Sequence, residues 1–316
     1  SLVKKLLSYD KFKVYGLDNI NNYYDLRLKK DRLKRLTSNS NFKFYKIDIL
    51  NKKKIIENFK KNNYKYVFHL AAQAGVRFSI EKPEEYLNSN IIGFYNILEA
   101  AKKTKLNNLY FASSSSVYGD KKKFPLSENF STDFPKSFYA ATKKCNEVLA
   151  YSYSNLYNIK MFGLRFFTVY GPYGRPDMFL FKFAKSIENN KPIYLFNRGN
   201  MGRSFTYVDD VVKILSKLTK KIPKKKKLNK LKTNISPAPF RVINIGNPKK
   251  HSLKKYLELI EKKMNKKTKI KLEKMQLGDV KETTSSTKEL FNLINNYKFM
   301  DLEKGITNFV KWFRKR

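Results

Sequence analysis

Apolar runs that alternate with helix-length amphipathic segments constrain this chain more than any other feature. The runs at residues 66–73, 109–113 and 160–167 are close to continuously apolar instead of apolar at every second residue. Strands of that kind sit in a parallel sheet covered on both faces. Two earlier runs, 12–17 and 42–47, and segments with helical spacing at 2–8, 25–36, 52–61, 83–103 and 138–156 complete the pattern. Repeated strand and helix units imply an α/β fold, a Rossmann-like doubly wound parallel sheet. Beyond Thr168 the alternation lapses. The turn-rich Gly171-Pro172-Tyr173-Gly174-Arg175-Pro176 opens a smaller mixed lobe. At 316 residues, 41% of them hydrophobic, the chain is long enough for both lobes.

Chemistry concentrates between Ala112 and Lys144. Tyr139 and Lys143 are four residues apart, so on a helix both side chains leave one face. An ammonium beside a phenol favours the phenolate, which makes Tyr139 a candidate general base and Lys143 the group that lowers its pKa. Ser114, at the end of the 109–113 strand, is placed to hydrogen-bond a substrate oxygen and share its proton with Tyr139. An ordinary surface pair and a polar serine turn are the alternative reading of Tyr-x-x-x-Lys taken alone. The larger pattern is a strand running into Ser113-Ser114-Ser115-Ser116-Val117-Tyr118-Gly119, with Tyr139-Ala140-Ala141-Thr142-Lys143 following. It resembles the active site of the extended short-chain dehydrogenase/reductase family.

The 12–17 run ends in Asp18-Asn19 and the 42–47 run in Asp48. An acid ending the second strand of a dinucleotide-binding fold accepts hydrogen bonds from the adenosine ribose and repels a 2′-phosphate, which favours NAD over NADP. A helix cap is the other reading of Asp18. Small residues in Leu70-Ala71-Ala72-Gln73 permit close approach of a ligand. His69 reads as a buried core residue, and His251 stands in a lysine-rich stretch with no partner pattern. Ligand-spaced His, Cys and carboxylate clusters are lacking, so no metal is expected.

The formal charge of +41 comes mostly from lysines spread over the whole chain. A solvated surface explains this distribution, and a field that attracts an anionic substrate is the second reading. The lysine-rich residues 217–232 read as an exposed insertion in preference to a nucleic-acid tail. With Cys145 as the single cysteine there is no internal disulfide, which fits a reducing compartment. No apolar run reaches the length of a membrane span or a signal sequence, so the protein reads as cytoplasmic without a membrane partner.

Further stretches narrow the resemblance. They are Asp18-Asn19-Ile20-Asn21-Asn22-Tyr23-Tyr24-Asp25, Ala71-Ala72-Gln73-Ala74-Gly75-Val76-Arg77, and the run from Arg165 through Gly174-Arg175-Pro176-Asp177-Met178. Arg203-Ser204-Phe205-Thr206-Tyr207-Val208-Asp209-Asp210 and Met275-Gln276-Leu277-Gly278-Asp279-Val280 extend them almost to the end of the chain. Together they resemble the UDP-glucuronate 4-epimerases. The resemblance implies an NAD-binding domain over residues 1–170 and a UDP-sugar-binding lobe over 171–316, with part of 204–245 returning to the first. It implies NAD held by Asp18, Asn19, Asp48, Ile49, Leu70, Ala71, Ala72, Gln73, Asn90, Tyr139 and Lys143, with Ser114, Tyr139 and Lys143 catalytic. Ser115, Ser116 and Thr168 match positions that bind the sugar carboxylate. Arg175 and Arg203 match the diphosphate and sugar side, and Gln276 and Asp279 lie near the uridine ribose. Arg77 is a further candidate, with an interlobe salt bridge as its alternative. Related enzymes pair through two helices, here 83–103 and 138–156, so a homodimer is implied.

One departure stands out. The family opens with a strand and a glycine-rich turn that cradles the NAD pyrophosphate. Here the first glycine is Gly16 and the next Gly75. Either the sequence is the later part of a longer chain, or tight NAD binding and catalysis have been lost. A central strand is then missing, and the sheet should be interrupted. Three functions stay open: inversion at C4 of UDP-glucuronate; decarboxylation of that sugar or epimerisation of a neutral UDP-sugar; and a basic binding protein on an inactive scaffold.

Overall fold

Burial on both faces decides the architecture. The computed structural model describes residues 1–225 and 236–315. Four parallel strands lie in the order Phe240–Ile245, Lys160–Phe166, Asn108–Ser114, Val67–His69. Along Asn108–Ser114, Leu109 and Phe111 pack with Ile55, Phe59, Phe94 and Ile97 on one side. Tyr110 packs with Val211, Ile214 and Leu215 on the other. Each such fully buried side chain contributes about 1.5–3 kcal/mol relative to exposure, so a strand apolar on both faces is stable only between two helical layers. His69 is buried and stacks on Phe94 at 5.3 Å, and burial pushes its imidazole down to about 3. It is a neutral core residue.

Val14–Asp18 and Phe42–Lys46 form a separate parallel pair. Among the described residues no backbone ladder joins this pair to the four-stranded sheet.

Local chemistry sets the helix starts. Asp25, Asn51 and Ser137 each accept a hydrogen bond from a backbone N–H of the first turn, at 2.9, 3.0 and 3.1 Å. Ser137 thereby starts the helix Phe138–Tyr157 and places Tyr139 in its first turn. Asn63, Asn158 and Asn265 end their helices in the left-handed region that asparagine tolerates.

Three expectations are corrected here. The 83–103 segment is not one helix: Pro83–Tyr86 passes through a π-helical turn, Leu87–Ile92, into Gly93–Lys103. The wider turn lets Gly93 lie against Ile49, where a Cβ would fall 2.5 Å from Ile49 Cδ1. The 66–73 run is strand only over Val67–His69, because buried Asn90 bonds the Gln73 backbone and draws the next residues out of the ladder. His251 stands in a short strand, His251–Ser252, antiparallel to Gly202–Arg203.

The second lobe is built on small sheets and the helices Phe179–Glu188, Leu253–Met264 and Leu302–Phe313, around a core rich in aromatic rings. Phe205 and Tyr256 stack there at 4.1 Å. Of the lysine-rich stretch, residues 217–225 finish the helix Val208–Leu218 and the turn after it, while 226–232 lie outside the described residues. Among the described residues no helix is long and apolar enough to cross a membrane.

Candidate active site

A cleft of roughly 1200 Å³ opens between the carboxyl ends of the parallel strands and the second lobe. In an open α/β sheet this is where ligands bind. Its lining brings together Ser114, Ser115, Ser116, Tyr139, Lys143, Thr168, Arg175, Arg203, Arg77 and Asp279, which the sequence scatters over 203 positions (77 to 279). Leu70 and Ala72 line it too.

Ser114 ends its strand extended and caps the short turn Ser115–Tyr118, accepting from the Ser116 N–H at 3.2 Å. Its hydroxyl also lies 3.2 Å from Ser116 Oγ, so the two serines form one polar cluster beside Tyr139. Tyr139 packs edge-on against Tyr86 at 6.1 Å. Burial raises its phenol above the ordinary value, while a hydrogen bond with Ser114 and the charge of Arg175 pull it down. Lys143 is buried and donates to the Ala112 carbonyl at 2.8 Å, with Nζ 6.0 Å from the Tyr139 ring centre. Burial lowers its ammonium to about 8. Ser114 and Arg175 are thus the neighbours that pull the phenol down, and the Lys143 ammonium stands on the same helix face, bonded to the end of the strand.

The two cleft arginines differ in their partners. Arg175 grips Asp177 in a two-pronged pair, Nε to Oδ1 at 2.9 Å and Nη2 to Oδ2 at 2.7 Å. Arg203 donates only to carbonyls, those of Gly202, Lys281 and Val280, and forms no ion pair among the described residues. Its charge is left for an anion. Arg77 lies 3.5 Å from Asp279 and stacks over Phe196 at 4.4 Å, the geometry of a bridge between the lobes. Gln276 lies outside the cleft lining, with Oε1 buried and unpartnered among the described residues.

Asn90 is 1% exposed, and its amide is used by Gln73 and by Thr142 at 3.0 Å. It and Gln73 are joined through the Gln73 backbone, and both side chains are buried beside the cleft. Ala71 stands at the surface of the same loop. Asp18 ends the strand Val14–Asp18, and Asp48 follows two residues after its parallel neighbour Phe42–Lys46. Asn19 donates to Asp48 at 2.8 Å, and Ile49 packs against Gly93 with its carbonyl accepting from Asn96.

Sequence reasoning missed Tyr23 and Asp177. Tyr23 lines the cleft and donates to the Ala74 carbonyl at 3.1 Å. The Arg175-Pro176-Asp177 spacing, with a proline that stiffens the turn between opposite charges, was a signal for the second.

NAD fits this site at both ends. Lys143 spends one of its three protons on Ala112 and faces the cleft with the others, which suits the ribose hydroxyls beside a nicotinamide. Asp18 and Asp48 supply the acceptors that an adenosine ribose requires.

What the fold and the cleft define is a class, the nicotinamide-dependent dehydrogenase/reductase enzymes, with a Tyr-x-x-x-Lys helix at the sheet's carboxyl edge. The comparisons with known proteins narrow it. The chain belongs to the NAD dependent epimerase/dehydratase family, whose profile matches residues 1–235. Protein CapI of Staphylococcus aureus is 45% identical, over 99% of this chain and 94% of its own. A probable UDP-glucuronate 4-epimerase of Rhizobium meliloti is 37% identical, over 99% and 92%. The crystal structure of UDP-glucuronic acid 4-epimerase from Bacillus cereus, in complex with UDP-glucuronic acid and NAD, superposes with a TM-score of 0.88 at 30% identity. That match covers 99% of this chain and 95% of the other. The protein is thus an NAD-dependent epimerase-type isomerase.

Proposed function

We propose that this protein inverts C4 of UDP-glucuronate to give UDP-galacturonate. The observation that carries the reading is Ser114 beside Tyr139 in a cleft that also holds Arg203, which forms no ion pair among the described residues. The relatives named for that activity support the choice of sugar.

Tyr139 takes the proton of the C4 hydroxyl while Ser114 hydrogen-bonds the same oxygen. When bound, NAD supplies reversible two-electron oxidation at C4, and its positive ring favours the tyrosinate. Lys143 holds the neighbouring ribose. The sugar passes through a 4-ketone, turns about its diphosphate linkage and regains the C4 hydrogen on the opposite face, with Tyr139 returning the proton. A 4-keto uronic acid loses CO2 when its carboxylate stands perpendicular to the ketone plane. Hydroxyls of Ser115, Ser116 and Thr168 hold that carboxylate out of this geometry. Arg203 takes the diphosphate, and Arg175 exchanges part of its grip on Asp177 for the sugar. Asp18, Asn19 and Asp48 hold the adenosine end, and Asp279 and Gln276 stand toward the uridine ribose.

The product feeds surface polysaccharide synthesis in the cytoplasm, and the protein works as a homodimer. Incubation with UDP-glucuronate, read by proton NMR, tests the reaction. UDP-galacturonate at equilibrium with substrate is expected. Mainly UDP-xylose would make the protein a decarboxylase, and no turnover with NAD fully bound would remove catalysis.

A further inference from the structure

From Ser113 in the cleft wall a buried ionic row runs inward, and the proposed reaction leaves it unassigned. Ser113, Arg165 and Asn244 stand side by side on three successive strands, in register. Arg165 and Glu147 are 2% and 6% exposed at their side chains. Glu147 Oε1 accepts from Ser113 Oγ at 2.6 Å and from Arg165 Nε at 2.8 Å, and Oε2 accepts from Arg165 Nη2 at 2.8 Å. The guanidinium also lies 4.8 Å over the Tyr118 ring, whose hydroxyl donates to Asn244 at 2.7 Å. Asn244 in turn donates its N–H to Glu128.

Three members of this row, Glu147, Ser113 and Tyr118, adjoin residues of the proposed reaction. Glu147 is four residues beyond Lys143 and eight beyond Tyr139, one helical row on one face. Ser113 precedes Ser114, and Tyr118 ends the turn that carries Ser115 and Ser116. Two separate elements must therefore meet to within tenths of an ångström, and apolar packing alone is non-directional. A two-pronged arginine–carboxylate pair in a dry interior is directional and resists sliding or rotation.

We propose that the Glu147–Arg165–Ser113 cluster is a positioning device that sets the helix carrying Tyr139 and Lys143 against the strand end carrying Ser114. This rests on the epimerase reading, and a purely stabilising ion pair is the competing account. The two separate cleanly, because replacing both charges of a buried pair by apolar side chains of similar size is commonly neutral or stabilising for the fold.

The test is the paired variant Glu147→Leu with Arg165→Met, in the full chain with NAD. Melting temperature, kcat and KM for UDP-glucuronate are measured, together with the labelled ring-carbon NMR resonance of Tyr139, identified by its loss in Tyr139→Phe. A positioning role predicts an unchanged melting temperature, a fall in kcat on the order of 100-fold, KM within about twofold, and a shifted Tyr139 resonance. Unchanged kcat and an unmoved resonance overturn the proposal and leave an ion pair that serves the fold alone. If the paired variant does not fold, Ser113→Ala decides, since it removes one bond and keeps the ion pair: a lowered kcat supports positioning and an unchanged one refutes it. If the unmodified protein does not turn over UDP-glucuronate, the epimerase reading fails separately, and the Tyr139 resonance alone decides whether the cluster orients the phenol.

Discussion

Tyr139 and Lys143 are set by burial in opposite directions, and each makes a measurable demand. Burial raises the phenol against the opposing pull of the Ser114 hydrogen bond and the Arg175 charge. Tyr139→Phe keeps the ring packed on Tyr86 and should leave the melting temperature unchanged. Turnover of UDP-glucuronate should fall roughly 100- to 10,000-fold, because only the transferable proton is lost. Lys143 behaves as a buried base. Its folded pKa of about 8 lies below the unfolded 10.5, so the unfolded chain binds more protons and stability rises with pH between those values. Below pH 8 the ammonium is charged in both states and the full burial cost is present, roughly 3 kcal/mol by the gap between the two values. Lys143→Met should therefore raise the unfolding free energy at pH 7. Its advantage should shrink between pH 8 and 10.5, as read by urea denaturation across that range, and a pH-independent difference would contradict the assignment.

At the scale of elements, the π-helical turn Leu87–Ile92 is the feature with most consequence for the cleft. It puts Asn90 against the Gln73 loop and Gly93 against Ile49 at once, joining the two strand ends that carry Asp48 and His69. Gly93→Ala should destabilise by about 1–3 kcal/mol through overpacking. Ile49→Ala in the same chain should restore part of that loss, and a double-mutant cycle in urea checks the coupling. The strands and helices around this turn were legible because burial on two faces writes a continuous apolar run, and caps such as Asn51 and Ser137 are written in single residues. The π turn was not legible, since Leu87 to Ile92 carry a pattern that an α-helix accepts equally well. Its partners, Gln73 and Thr142, are distant in sequence. Residues 70–73 were over-read as strand for the same reason: Leu70, Ala71 and Ala72 are as suited to a strand as to a turn, and the contact that decides is Asn90. In the cleft, residue types named their chemistry, as with Ser114 and Tyr139. A pairing such as Glu147 with Arg165 emerged only when the fold supplied distances.

For the whole molecule, two forces compete over self-association, and their balance can be measured. Val148 is 56% exposed and Leu156 66%, both on the helix Phe138–Tyr157, while Ile80 and Leu87 at 53% and 46% extend the apolar surface beyond it. Apolar surface of this extent on two neighbouring helices suits a self-complementary contact between two copies. Against it stands the formal charge of +41 on each chain, which repels a second copy at long range. Screening acts on the repulsion and leaves apolar burial intact, since the Debye length falls from tens of ångströms to a few as salt rises. Sedimentation equilibrium should therefore show tighter dimers as sodium chloride is raised from about 0.01 to about 1 M. Val148→Lys should give monomers across that range, because it places an ammonium where the apolar contact of the proposed dimer would close. If the dimer instead weakened with salt, ion pairs between the copies would be holding it, and the two-helix face would not be the interface.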